Sequence, residues 1–203
     1  TIDMRSPQAW ALASTPRGFG GEIPEDDLSY GYRRSKLSWY TVDPVFYVDS
    51  QRPSGITEAD LRSNRVRRIY SEELYPNTDI AQGQSTVVST LDLTYYPQER
   101  GPYNFDPNFA TTGSFANPQT NWGGIMRSIT STNFEQANVE YVQFWLMDPF
   151  YGQNPGDTTP VTNTGKLVLN LGEISEDILK DGRKLYENGV PESGSTVPNY
   201  TSN

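Results

Sequence analysis

Residues 139–147 have the sequence VEYVQFWLM, and this stretch decides the predicted fold. Beyond Glu140, apolar side chains occupy both of the faces that alternate along an extended chain. A strand that is apolar on both faces is typical of the centre of a sheet that protein covers on each side. We therefore predict that residues 139–147 form the central strand of the core.

The rest of the chain predicts further short strands. In residues 36–42 the side chains of Leu37, Trp39 and Thr41 alternate with the intervening ones, which is the period of a half-buried strand. Pro97 is expected to end the strand predicted at 86–96. A loop is expected to join residues 139–147 to the last strand as a wide hairpin. The other predicted strands are 45–48, 86–96, 122–130 and 166–171.

Helices are expected to be few and short. Thr57 is a predicted N-cap, and a second helix over 175–182 is predicted to begin after Ser175 and to end at Gly182. The 17 Gly and 15 Pro residues favour turns between short strands. We predict a mainly β fold, an antiparallel β-sandwich that is jelly-roll-like, with two or more short helices. Its parts are an irregular leader at 1–35, one sandwich-like domain at 36–191 and a frayed tail at 192–203.

Composition excludes several classes of function. The chain has no His and no Cys, so it cannot hold a Ser-His-Asp or Cys-His nucleophile system, a His/Cys zinc site, a disulfide or a thiolate-held iron–sulfur cluster. Its net charge of −9 opposes nucleic acid and anionic lipid as partners. The sequence contains no apolar run of the ~20 residues that a membrane-spanning helix needs.

Two groups of oxygen ligands and acids are candidate sites. The acids that follow residue 172, which are Glu173, Glu176, Asp177 and Asp181, could supply the two carboxylates of a glycosidase, but their spacing is that of helix capping. Calcium could bind near Asp106, with Asn104 and Asn108, or near Asp148, with Asn154 and Asp157. Neither set has the regular spacing of a calcium loop, and turn formation explains both.

Aromatic side chains of the long connection 98–121 and its end form the main candidate contact surface. They are Tyr103, Phe105, Phe109, Phe115 and Trp122. They could stack on a sugar or on a partner chain, or they could pack the loop onto the domain. A basic cluster of Arg62, Arg65, Arg67 and Arg68 is read as an ion-paired or solvated face, with the docking of an acidic partner as the alternative.

Four longer strings resemble one family. They are RGPYNFDP at 100–107, NWGGIMR at 121–127, EYVQFWLMDPF at 140–150 and GEISEDILKDGRK at 172–184. In this order they resemble the SprA/Sov family, the giant outer-membrane proteins of gliding motility and type IX secretion in Bacteroidetes. The resemblance spans about residues 85 to 191, and the leader and the tail match less clearly.

The resemblance implies a part of a protein-secretion translocon, an outer-membrane β-barrel that carries folded cargo to the cell surface with a PorV-like barrel protein and a plug subunit. It implies a non-enzymatic cap or insertion domain on the cell-surface or periplasmic side of the outer membrane, with a structural or gating role and no cofactor. Tyr103, Phe105 and Trp122 are then the expected contact residues. The alternative is a cell-surface carbohydrate-binding module of jelly-roll type that uses the same aromatic side chains, with or without calcium.

Overall fold

The computed structural model describes residues 3–15, 28–129, 140–150, 152, 165–172, 174–175 and 177–178. Over these residues the chain is mainly β, as expected, and its strands associate in antiparallel pairs. The strands are Ala11–Leu12 (β1), Ser35–Tyr40 (β2), Ile69–Tyr70 (β3), Val87–Val88 (β4), Asp92–Arg100 (β5) and Ile125–Met126 (β6). The α-helices are Glu58–Leu61 (α1), Ser71–Leu74 (α2) and Pro107–Thr112 (α3). Short 3-10 helices lie at Pro7–Ala9, Leu28–Gly31, Pro44–Tyr47 and Pro118–Thr120.

The chain divides into two compact units. Unit 1 comprises Thr1–Arg5, Tyr40–Asp92 and Ile129–Val168, and unit 2 comprises Ser6–Trp39, Leu93–Ser128 and Leu169–Asn203. Part of the predicted leader belongs to unit 2, because β1 pairs antiparallel with β6 and Leu12 lies opposite Ile125. The boundaries at 36 and 191 stay predictions, and the tail at 192–203 lies outside the described residues.

The predicted strand at 36–42 is present as β2, which pairs with β5. The backbone N–H of Gly101 donates to the carbonyl of Arg34 at 3.1 Å, and Lys36 forms an ion pair with Glu99 at 2.6 Å. The partner number falls as the β2 number rises, so the two strands run antiparallel. In unit 1, β3 pairs antiparallel with β4, with Ile69 opposite Val88.

The expectation that Pro97 ends a strand is wrong, because β5 continues through it to Arg100. Proline lacks a backbone N–H but keeps a carbonyl, so it is tolerated on an edge strand. The Pro97 carbonyl accepts hydrogen bonds from the Ser35 hydroxyl at 3.0 Å and from the Asn121 amide at 2.8 Å. The chain therefore uses the group that proline retains.

The expected strand at 45–48 is also wrong, since these residues lie in the 3-10 helix Pro44–Tyr47 and its C-cap. The Asp43 carboxylate accepts a hydrogen bond from the backbone N–H of Val45 at 2.9 Å. Pro44 supplies a backbone angle suited to a first helical position, so the local signal favours a helical turn. By contrast the predicted N-cap at Thr57 is confirmed, and its side chain forms a capping box with Asp60.

The predicted strands at 139–147 and 166–171 are not found where the structure describes them, which is residues 140–147 and 166–171. All of these residues are exposed. A strand that is apolar on both faces needs a layer on each side, and the described part of the chain supplies neither layer. The expectation that these residues form the centre of the core is therefore wrong. Over its described residues, 122–129, the predicted strand at 122–130 is shortened to β6 plus an isolated bridge at Trp122.

The most buried positions of the described chain are mostly polar. Ala13 and Trp122 are the buried apolar residues, and the buried polar ones are Ser14, Arg34, Ser35 and Asn104. Arg34 and Asn104 belong to unit 2. Unit 2 is therefore organised around a small polar centre.

Candidate functional site

Arg34 lies at the middle of this polar centre, with only 1% of its surface exposed. Its Nη1 donates to the carbonyl of Ala13 at 2.5 Å. Its guanidinium carbon lies 4.5 Å from the centroid of the Trp122 ring, which is a cation–π distance. A buried charge is costly without polar partners, and the carbonyl dipole and the ring face offset that cost.

Backbone hydrogen bonds fasten Trp122 to the same segment. The N–H of Ser35 donates to the carbonyl of Trp122 at 2.8 Å, and the N–H of Trp122 donates to the carbonyl of Arg33 at 3.0 Å. These two bonds form an isolated parallel β-bridge between Arg34 and Trp122. The side chain and the backbone of Arg34 therefore meet Trp122 together.

Asn104 ties the loop that follows β5 to this segment. Its side chain is fully buried, and its Nδ2 donates to the carbonyls of Arg34 at 2.6 Å and Tyr32 at 2.9 Å. Its Oδ1 accepts from the backbone N–H of Asp106 at 3.0 Å. One side chain thus satisfies three backbone groups and fixes the path of residues 101–106.

Asn104→Ala is expected to lower the free energy of unfolding by about 2 kcal/mol, because it removes three hydrogen bonds of a fully buried side chain, those to the carbonyls of Arg34 and Tyr32 and to the N–H of Asp106. Urea unfolding followed by tryptophan fluorescence measures the loss. Asn108→Ala is the matched control, because Asn108 is exposed. An equal, small effect of both changes would contradict the structural role of Asn104.

The three expected contact residues do not form one open surface. Trp122 is only 9% exposed and carries the Arg34 guanidinium on its ring, so little ring area is left for a partner. Tyr103 and Phe105 are half-buried and flank the anchored Asn104 in sequence. Tyr103 adopts a left-handed backbone with φ of 58°, which is uncommon for a residue other than glycine. The contact roles of Tyr103 and Phe105 stay predictions.

The other aromatic side chains of the loop pack locally. The rings of Phe109 and Phe115 lie 4.6 Å apart between centroids, and the guanidinium of Arg100 lies 5.6 Å from the Phe109 ring. Both Phe side chains are half-buried. This arrangement favours the alternative in which these aromatic side chains pack the loop.

The candidate calcium residues near Asp106 act in local structure. Asn104 bonds backbone groups as described, and the Asp106 carboxylate accepts from the N–H of Asn108 at 2.9 Å, which caps α3. The second set lies partly outside the described residues, as do the acids Glu173, Glu176 and Asp181. Over the described ranges no group of three or more acidic side chains is placed to hold a metal ion.

No described helix is long and apolar enough to cross a bilayer.

The basic cluster is largely paired. Arg62 forms an ion pair with Glu58, and Arg67 forms one with Glu73 at 2.8 Å. The guanidinium of Arg68 lies 4.4 Å from the centroid of the Tyr47 ring. The cluster therefore matches the ion-paired interpretation, and its exposed members are Arg62 and Arg65.

Tyr47 makes this region sensitive to high pH. Burial raises the pKa of its phenol above the usual value of about 10, the nearby Asp92 carboxylate raises the pKa further, and Arg68 lowers it. The phenol also donates to the carbonyl of Val66. A raised folded pKa means that the neutral phenol contributes stability below pH ~10 and that this contribution is lost as pH rises through the folded pKa.

We expect Tyr47→Phe to reduce the loss of stability that wild type shows above pH ~10. Burial also raises the pKa of Tyr95, so part of the loss remains in the variant. Urea midpoints measured at pH 8 to 11 test this, with Tyr141→Phe as the control because that phenol is exposed. Parallel pH curves for Tyr47→Phe and wild type would contradict the expectation.

Sequence reasoning missed an exposed aromatic pair in unit 1. The rings of Tyr75 and Trp145 lie edge to face, with 6.2 Å between centroids, and the indole Nε1 donates to the Tyr75 hydroxyl at 3.3 Å. Trp145 is 62% exposed. The apolar pattern of residues 139–147 was visible in the sequence, but it indicated burial. The contact with Tyr75, seventy residues away, left no local signal.

No model of a known protein family matches the sequence, and a search of curated proteins finds no match.

Proposed function

We propose that the chain is a non-enzymatic structural segment of an outer-membrane protein-secretion translocon of the SprA/Sov type, with a role in shaping or gating the path of folded cargo. The proposal takes the outer membrane as its location, on the cell-surface or periplasmic side. It takes a PorV-like barrel protein, a plug subunit and secreted cargo as partners. It assigns the chain no cofactor and no reaction.

One structural observation supports a structural role for the strings on which the resemblance rests. Gly101 and Asn104 of the first string and Trp122 of the second all bond the backbone of residues 32–35. Polar groups that bond backbone in a buried centre hold a shape and are not available to a substrate. Gly101, Asn104 and Trp122 therefore hold neighbouring backbone in place, as scaffold residues are expected to do.

We also propose the β-sandwich that the sequence predicts. In the structure, the described strands form separate antiparallel pairs. Residues 140–147 and 166–171 keep the apolar pattern of inner strands. We propose that they complete a jelly-roll-like sandwich when the chain lies in its assembly, with residues 141–147 paired there with a strand of a partner protein.

A photo-crosslinking amino acid at position 103, introduced in the native cells, tests the assignment. The expected product joins the chain to the PorV-like barrel protein or the plug subunit, identified by mass spectrometry. The same group at Tyr40, an exposed residue of unit 1, is the comparison site. If neither site ever gives a product with an outer-membrane protein, the translocon assignment fails.

The second candidate function is a cell-surface carbohydrate-binding module, and the exposed pair of Tyr75 and Trp145 favours it. Exposed aromatic rings offer faces on which a sugar ring can stack, and the Tyr75 hydroxyl supplies a polar group beside them. Binding on a glycan array that Trp145→Ala abolishes, with folding unchanged, would support this function. Trp122→Ala is unsuitable for the test because Trp122 is buried.

A further inference from the structure

Residues 141–147 form an exposed apolar segment with an acid at each end. Six of its side chains are apolar or aromatic and between 44% and 73% exposed, and they are Tyr141, Val142, Phe144, Trp145, Leu146 and Met147. Glu140 precedes the segment and Asp148 follows it, and both are exposed. A run of exposed apolar side chains of this length is typical of an interaction site.

The surroundings of the segment in the sequence are acidic. No Lys or Arg occurs between Arg127 and Lys166, whereas four acids do, namely Glu135, Glu140, Asp148 and Asp157. Positive charge at the two ends of a partner segment would therefore favour its binding here.

The segment also has strand chemistry. Its residue types are those of a strand, and over the described residues its backbone belongs to no sheet. Seven residues in extended form span about 23 Å, which is an ordinary strand length. Addition of an extended partner segment would satisfy the backbone groups and cover the side chains at once.

Trp145 is already held in place for such a contact. The edge-to-face contact with Tyr75 and the hydrogen bond from its Nε1 restrict the indole before any partner arrives. A fixed, exposed aromatic ring is typical of the residues that carry most of the binding energy at an interface.

We propose that residues 141–147 bind, by strand addition, an extended segment of another protein that has apolar side chains along its length and Lys or Arg at its ends. The proposal does not rest on the translocon assignment, because the surface and its charge belong to the chain in any assembly.

Charge argues against a second copy of this chain as the occupant. If two copies of the segment paired antiparallel about Phe144, Glu140 of each copy would lie opposite Asp148 of the other. Like charges directly opposite each other on a strand pair are destabilising, and the net charge of −9 on each copy adds long-range repulsion.

Two labelled synthetic peptides test the proposal. Both have about seven strand-forming residues that include Val and Ile, and one carries two Lys at each end whereas the other carries two Glu. Fluorescence anisotropy with the full chain is expected to give the Lys peptide a Kd at least ~10-fold lower, with the preference shrinking as salt is added. Hydrogen exchange is expected to slow at residues 141–147 when the Lys peptide is bound.

Variants separate the site from general stickiness. Leu146→Ser is expected to weaken binding ~5-fold or more, whereas the control Leu93→Ser, at a leucine exposed on β5, should leave it within ~2-fold. The double change Glu140→Lys and Asp148→Lys is expected to reverse the preference between the two peptides. Both positions are exposed, so neither change should disturb folding.

Several results would overturn the proposal. Equal binding of both peptides, no binding of either, or exchange protection only outside 141–147 would each do so. Sedimentation that shows a dimer lost in Leu146→Ser would identify a second copy as the occupant instead. A sugar that requires Trp145 and ignores both Leu146 and the peptides would assign the surface to a glycan.

Discussion

Arg34→Ala is expected to lower the free energy of unfolding by about 3 kcal/mol, the largest effect of any single change to a described side chain. The change removes the donor to the Ala13 carbonyl and the cation on the Trp122 ring. It also leaves a cavity at a position that is 1% exposed. Urea unfolding followed by tryptophan fluorescence measures the loss, and Arg65→Ala is the matched control at an exposed arginine.

Arg34→Lys separates the effect of charge from that of shape. Lysine keeps the positive charge but lacks the planar fork that reaches a carbonyl while lying on a ring. We expect it to recover less than half of the stability that Arg34→Ala loses. Full recovery would mean that charge alone matters, and a loss within ~0.5 kcal/mol for Arg34→Ala would mean that this centre does not hold unit 2 together.

Gly101→Ala is expected to cost about 2 to 3 kcal/mol, because a Cβ at this position would lie 2.5 Å from the backbone oxygen of Ser35. The obstacle is backbone of β2, which cannot rotate away as a side chain could. The glycine N–H also donates to the Arg34 carbonyl, so displacement of the loop would lose that bond. Thermal unfolding measures the cost, with Pro102→Ala as the control at the exposed neighbour.

A readout besides stability tests the same close approach. Displacement of the loop should increase hydrogen exchange at residues 101 to 106, where Asn104 loses its alignment with the carbonyls of residues 32 and 34. If Gly101→Ala unfolds like wild type and exchanges like wild type, the close contact between the loop and β2 is not present in solution.

The parts of the fold that sequence reasoning predicted correctly depend on neighbouring residues. Thr57 and Asp60 are three residues apart and form the capping box that their types predict. The alternation around Leu37 gives β2. Asp106 caps α3 two residues from the N–H that it accepts, as turn-forming Asx residues do.

The parts that could not be predicted depend on residues far apart in the chain. Ala13, Arg34, Asn104 and Trp122 meet at the polar centre from four separate stretches of sequence. An arginine beside another arginine gives no sign that one of them is buried. The position of Pro97 within β5 could not be predicted either. A strand accepts proline only where no backbone N–H is needed for pairing, and the sequence does not show which side of the strand is paired.

The segment 139–147 shows the limit of pattern reasoning most clearly. Apolar side chains on both faces indicate a strand that is covered on both sides, but the pattern does not say which protein covers it. Over the described residues 140–147 the side chains are exposed. The apolar pattern that predicted a core within the chain is therefore better explained by a core shared with another protein.

A low-resolution electron cryo-microscopy map of the complex purified from native cells, through a tag on this chain, tests whether the chain is part of a translocon. We expect a large outer-membrane barrel in the map, with density for this chain against its wall or mouth and a second outer-membrane protein beside it. A chain that purifies alone, or in a particle without a barrel, would contradict the proposed function.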